Sequence, residues 1–120
     1  MSAVTPKSAH ERRSNRRYTL RLPIRYRVFE RKRKPRTGAG ATEEMSSVGL
    51  SFHSRRAAPA GAHIEMFIEW PVKREAVYPM YLYATGFVLR SAARTTAVRL
   101  SSRKFFIQTP AGPTELSAPL

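Results

Sequence analysis

The sequence predicts an all-β domain built as a small six-stranded antiparallel barrel. Apolar residues recur at every second position along several short stretches, the period of a half-buried strand. Gly, Pro, Ser and Asn separate these stretches where turns would fall. No stretch carries a convincing helical period. A barrel is preferred to a sandwich because closure removes free strand edges.

Taken in order, residues 1–10 read as a flexible lead-in, 11–107 as the barrel domain and 108–120 as a disordered tail. The first strand begins at Tyr18. Tyr18, Leu20, Leu22, Ile24, Tyr26 and Val28 form its apolar face, and Arg21, Arg25 and Arg27 stand on the other. Pro23 cannot donate to a ladder, so the strand should bend there or have a free edge. Arg31 to Gly40 reads as an exposed loop. Ala41 to His53 reads as the second strand, with Ser46, Val48, Leu50 and Phe52 alternating and Gly49 marking a bulge or a close backbone approach.

Pro59-Ala60-Gly61 is a turn signal. A strand from His63 to Trp70 should follow, ended by Pro71. Tyr81 to Arg90 is apolar on both faces and reads as buried. Ser91 to Arg94 is a hairpin connection, Thr95 to Leu100 the next strand and Lys104 to Thr109 a short sixth segment.

The chain has 120 residues, no cysteine and a formal net charge of +14. Without Cys, disulfides, thiolate metal sites and cysteine nucleophiles are excluded, which also fits a reducing, cytoplasmic setting. No apolar run is long enough to span a bilayer. The segment from Met1 to Arg17 lacks an apolar core, so it does not read as a secretory signal. An organellar transit peptide is the targeting alternative, and the strand pattern that follows directly argues against it.

The charge is uneven: residues 1–40 hold 13 Lys/Arg against two acids, while the remaining 80 hold nine against six. An anionic partner would be drawn to the first third. Composition leaves nucleic acid, a phosphorylated small ligand and an anionic membrane surface open.

Two motifs carry chemistry. Arg12-Arg13-Ser14-Asn15-Arg16-Arg17 precedes the first strand, and Glu44-Met45-Ser46-Ser47-Val48-Gly49 opens the second. Their order and spacing resemble the PilZ family, which pairs an RxxxR motif before its first strand with [DN]xSxxG on the next. Arg13 and Arg17 match the first motif, and Arg12 resembles the extra arginine ahead of it. Ser46 and Gly49 match the second, and Glu44 stands where the family has Asp or Asn. The runs Leu22–Val28, Gly49–Phe52, Gly86–Arg90 and Ala97–Leu100 are also similar to family strands, so the resemblance covers roughly residues 11–107.

The resemblance implies a split-barrel receptor domain for cyclic di-GMP. It assigns ligand binding to Arg12, Arg13, Arg17, Glu44, Ser46 and Gly49. Glutamate keeps the acceptor chemistry of Asp but is one methylene longer. The C-terminal helix that the family often adds has no candidate here.

Elementary chemistry agrees with that pairing. Arginine grips a phosphate bidentately, bonds guanine O6 and N7, and stacks on a purine. A carboxylate accepts from guanine N1–H and N2–H, a hydroxyl serves either partner, and glycine admits the ligand to the backbone. Arg12–Arg17 would close over such a ligand from a flexible segment.

The bland readings stand beside these. The arginine run is also what a solvated basic arm looks like, and Glu44, Ser46 and Gly49 are also ordinary turn and bulge residues. Arg31–Arg36 reads as a charged loop before it reads as a nucleic-acid patch. His10, His53 and His63 lack metal spacing. Trp70, Tyr78, Tyr81 and Tyr83 read as core or barrel-mouth residues, and Ser46 and Ser47 lack a relay for nucleophilic catalysis.

Three functions follow. The first is a non-enzymatic cyclic di-GMP receptor that signals through a protein partner. The second is a PilZ-like domain that has lost its ligand and acts as an interaction module. The third is a small basic barrel for RNA or single-stranded DNA, which needs aromatics on the basic face, where the sequence offers only Phe29 beside Arg21, Arg25 and Arg27. Neither a cofactor nor a metal is expected, and monomer and dimer are both open.

Overall fold

Residues 16–74 and 78–116 are described by the computed structural model, and they form strands and turns with no helix. The strands are β1 (Tyr18–Thr19), β2 (Pro23–Phe29), β3 (Arg36–Met45), β4 (Gly49–Ser54), β5 (His63–Arg74), β6 (Tyr78–Ala92), β7 (Thr95–Thr109) and β8 (Gly112–Glu115). All pairings are antiparallel. β2 lies between β3 and β5, β6 between β5 and β7, and β4 joins β7 back to β3. Six strands thus close into a ring of ladders. β1 is added to β3 and β8 to β7.

The period of two explains what the ring encloses. Ile24, Tyr26 and Val28 of β2 face inward. So do Leu50 and Phe52 of β4, Ile64, Met66 and Ile68 of β5, Leu82, Ala84 and Val88 of β6, and Val98 and Phe105 of β7. Fully burying each large aliphatic or aromatic side chain is worth about 1.5–3 kcal/mol. Trp70 packs edge-on against Phe105 at 5.0 Å and belongs to this core.

Several elements differ from the sequence reading, each for a local reason. The first strand is broken in two. β1 and β2 occupy successive halves of one edge of β3, and Leu20–Leu22 cross between them. Thr42, fully buried, secures the crossing. Its N–H donates to the Leu22 carbonyl at 2.9 Å, its hydroxyl accepts from the Leu22 N–H at 2.9 Å, and that hydroxyl donates to the Leu20 carbonyl. Pro23 is the first residue of β2, where a missing donor is tolerated.

The segment Arg36–Gly40, read as loop, is strand. Its glycines mark close approach. A Cβ at Gly38 would fall 2.4 Å from the Tyr26 ring, and one at Gly40 2.0 Å from the His53 carbonyl oxygen. Only hydrogen fits where β3 passes over these neighbours.

The stretch Ala41–His53 is likewise two strands, β3 and β4, joined by a tight turn at Ser46–Val48, and Val48 is half exposed instead of core-facing. Pro71 does not end β5, because the ladder with β6 shifts register between Trp70 and Arg74 and takes it up there. β6 buries one face only, leaving Phe87 and Leu89 exposed. Thr95–Thr109 is continuous. The chain beyond Pro110, read as disordered, returns as β8 along β7 as far as Glu115. The turn at Pro59–Gly61 and the β6–β7 hairpin fall where the sequence places them.

Candidate functional site

Arg17, the last residue of the first motif, meets the second motif at the outer surface of β4, β6 and β7. Facing positions there carry small side chains. Gly49 lies opposite Arg99, and Ser51 lies opposite Ala97, which in turn lies opposite Arg90. Small residues in register lower the sheet surface, and long side chains on either side raise it. The result is a groove of about 660 Å³, within the usual range for small-molecule sites. It is lined by Arg17, Glu44, Ser46 and Val48 from the side of β3 and the turn that follows it, and by Leu89, Arg90 and Arg99 from β6 and β7.

Strand pairing sets the first of these groups. Thr19 lies opposite Glu44. Arg17, two residues upstream and so on the same side of the chain, reaches the Glu44 carboxylate at 3.6 Å. Both side chains are largely exposed, so the pair contributes little to stability. It does hold the Arg17 guanidinium at the rim of the groove. The β1–β3 ladder rests on the Thr42 crossing, so a buried hydroxyl in the core governs where Arg17 stands.

Ser46 serves the turn. Its hydroxyl accepts from the N–H groups of Val48 at 3.3 Å and Gly49 at 3.2 Å, and donates to the Gly49 carbonyl at 3.2 Å. Its N–H donates to that same carbonyl at 2.9 Å. The hydroxyl is thereby saturated. Gly49 has a packing role: a Cβ there would fall 2.6 Å from the Val98 carbonyl oxygen, so a side chain would force β4 away from β7. The turn and close-approach reading of these two residues therefore holds.

Of the six residues nominated from sequence, Arg17, Glu44, Ser46 and Gly49 line one groove. Arg12 and Arg13 lie outside the described residues. Sequence reading missed Arg90 and Arg99, which bring two further guanidinium groups from β6 and β7 with no ion-pair partner among the described residues. Each is a lone cation beside residues facing Ala or Gly, a signal that needs strand register to be read.

A second depression, of about 830 Å³, lies on the outer side of β2, β3 and β5, bordered by Arg25, Arg27, Ala39, Phe67, Glu69 and Tyr81. The two depressions share no residue. Here a further sequence expectation fails. Phe29 is not alone beside the β2 arginines, because cross-strand register adds Phe67, Tyr81, Tyr83, Phe87 and Phe106 to the same outer face. Tyr81 and Tyr83 accordingly look outward, away from the core.

Neither metal-ligand clusters of three or more His, Cys, Asp or Glu nor a helix long and apolar enough to cross a membrane occurs among the described residues. Comparison of the chain with protein-family models, with curated proteins and with solved structures finds no match.

Proposed function

We propose that the chain is a receptor domain of the PilZ type for cyclic di-GMP, acting by binding and not by catalysis. The observation that carries this reading is the groove. Arg17 of the first motif and the second motif, more than twenty residues apart in sequence, come together there, with arginines on both sides and small residues beneath. The closed ring of six antiparallel strands supports the family's barrel as its frame.

In this reading Arg17, Arg90 and Arg99 meet the two phosphates and stack on or bond to guanine, and Arg12 and Arg13 complete the grip from the preceding segment. Glu44 exchanges its partner Arg17 for a guanine edge as ligand enters. Ser46 and Gly49 act by holding the turn and by keeping β4 close to β7. Output passes to a cytoplasmic protein partner, since a binding groove supplies no reaction of its own.

Calorimetric titration with cyclic di-GMP at physiological salt, with excess GTP present, tests the reading. Saturable binding that Arg17→Ala weakens by about 1–3 kcal/mol is expected. Absence of binding would overturn it in favour of an interaction module without a nucleotide ligand. The saturated Ser46 hydroxyl and the Arg17–Glu44 pair are the features that favour this second reading. Salt-steep oligonucleotide binding that cyclic di-GMP does not compete would point to the nucleic-acid function instead.

A further inference from the structure

The outer face of β2, β5, β6 and β7 is built from cross-strand rows. One row runs Arg25, Phe67, Tyr83, Lys104, and the next runs Glu69, Tyr81, Phe106, Glu115. At their centre four rings touch. Phe67 lies 5.0 Å from Tyr83 and 6.1 Å from Tyr81, and Tyr81 stacks on Phe106 at 5.5 Å with 14° between planes. A second group, Phe29, His63 and Phe87, lies farther along the strands, beyond the polar row Arg27, Glu65, Thr85, Ser102. Phe67 is 39% exposed and Phe87 49%. An exposed aromatic cluster with a polar rim is the signature of an interface.

The charges on this face decide what covers it. Arg27 pairs with Glu65 at 3.2 Å and Lys104 with Glu115 at 3.9 Å. Arg25 and Glu69 have no ion-pair partner among the described residues. Around the four rings the described charges are therefore balanced, on a chain of net charge +14, and the unpaired Arg99 stands outside them beside Phe87. A nucleic acid would gain little there, because the phosphates would meet three carboxylates along with the cations. A second copy of the chain is repelled by the rest of the molecule, yet this face offers it both signs of charge.

We propose that two copies associate through this face about a two-fold axis. Arg25 and Glu69 lie diagonally across Phe67, on neighbouring strands and neighbouring rows. A two-fold axis in the interface plane that passes between them brings Phe67 of one copy onto Phe67 of the other. The same axis places each Arg25 over the opposing Glu69, as an isologous contact requires. Four strands about 4.8 Å apart and four outward rows about 6.8 Å apart give the centre an area of roughly 300 Å². Counted on both copies this is below the area of a stable dimer, so association through it is weak and concentration-dependent.

Sedimentation velocity on the full chain without nucleotide, from low micromolar to millimolar concentration, tests the proposal independently of the groove. The wild type should pass from monomer to dimer. Phe67→Asp should raise the dissociation constant by at least about tenfold, with an unchanged far-ultraviolet dichroism spectrum and melting point as the check on folding. Arg25→Glu and Glu69→Arg should each weaken association by about three- to tenfold, and the double variant should recover it. Neither misfolding nor a general loss of apolar area gives that recovery. A monomer at every concentration overturns the proposal, as does a dimer indifferent to both charge reversals. So does a monomeric wild type whose oligonucleotide binding is lost in Phe67→Asp, which would assign the face to nucleic acid.

Discussion

The groove and the aromatic face use the same cation in opposite ways. In the groove, Arg90 and Arg99 stand over Gly49 and Ala97 with no carboxylate of their own, and the one acid, Glu44, is held by Arg17. On the aromatic face, three cations are balanced by Glu65, Glu69 and Glu115 around packed rings. Small residues beneath unpaired guanidinium groups leave both room and positive potential for a small anion. Balanced charges around large rings leave no such potential, although the depression bordered by Arg25, Phe67 and Glu69 is the roomier of the two at about 830 Å³. A count of arginines along the chain cannot separate these cases, because register with neighbouring strands supplies the difference.

That contrast can be broken most severely by filling the groove. Ala97 lies on the outer surface between Ser51 and Arg90, so Ala97→Trp should abolish cyclic di-GMP binding, a loss of roughly 100-fold or more, while self-association persists. Calorimetry and sedimentation on one sample would read both. Next in size is the buried crossing. Thr42→Val removes a hydroxyl that both accepts from Leu22 and donates to Leu20, and should destabilise the fold by about 1–3 kcal/mol in urea unfolding. It should also weaken nucleotide binding more than association, because Arg17 depends on β1.

Arg99→Ala should cost the groove about tenfold in affinity and flatten its salt dependence, with little effect on stability. Equal losses of groove binding from Arg99→Ala and from Arg25→Ala would erase the distinction between the faces.

The smallest effect concerns Tyr83. Burial, then the hydrogen bond to Glu65 at 2.9 Å, hold its phenol above the ordinary value of 10.0, although nearby Arg27 opposes them. The unfolded chain ionises first. This contribution is therefore present below pH about 10 and lost as pH rises through the raised folded value. Tyr83→Phe should remove that alkaline slope and change stability at neutral pH by about 1 kcal/mol or less.

Alternation along Ile24–Val28 and Ile64–Ile68 is sufficient to read an all-β chain and much of its core, because a strand with one buried face writes its period directly into the sequence, whereas apolar residues on the outer face of Tyr81–Arg90 hide the same period there. The two motifs are readable only as a pair in order along the chain, and the structure brings Arg17, Glu44, Ser46 and Gly49 of them to one groove. What sequence could not separate was turn from strand. Gly38 and Gly40 look like loop residues, yet they are the only residues small enough to lie against Tyr26 and His53. Ser46 looks like a ligand residue, and its hydroxyl is consumed by its own turn.

Local pattern thus determined the fold class, the inward residues and the arginine-rich first motif, since each depends only on neighbours in the chain. Tertiary structure alone decided which arginines share a surface with Gly49 and which with Phe67. Those partners lie on other strands, and a shift of one residue in pairing would have turned each arginine to the opposite face of the sheet from its partner.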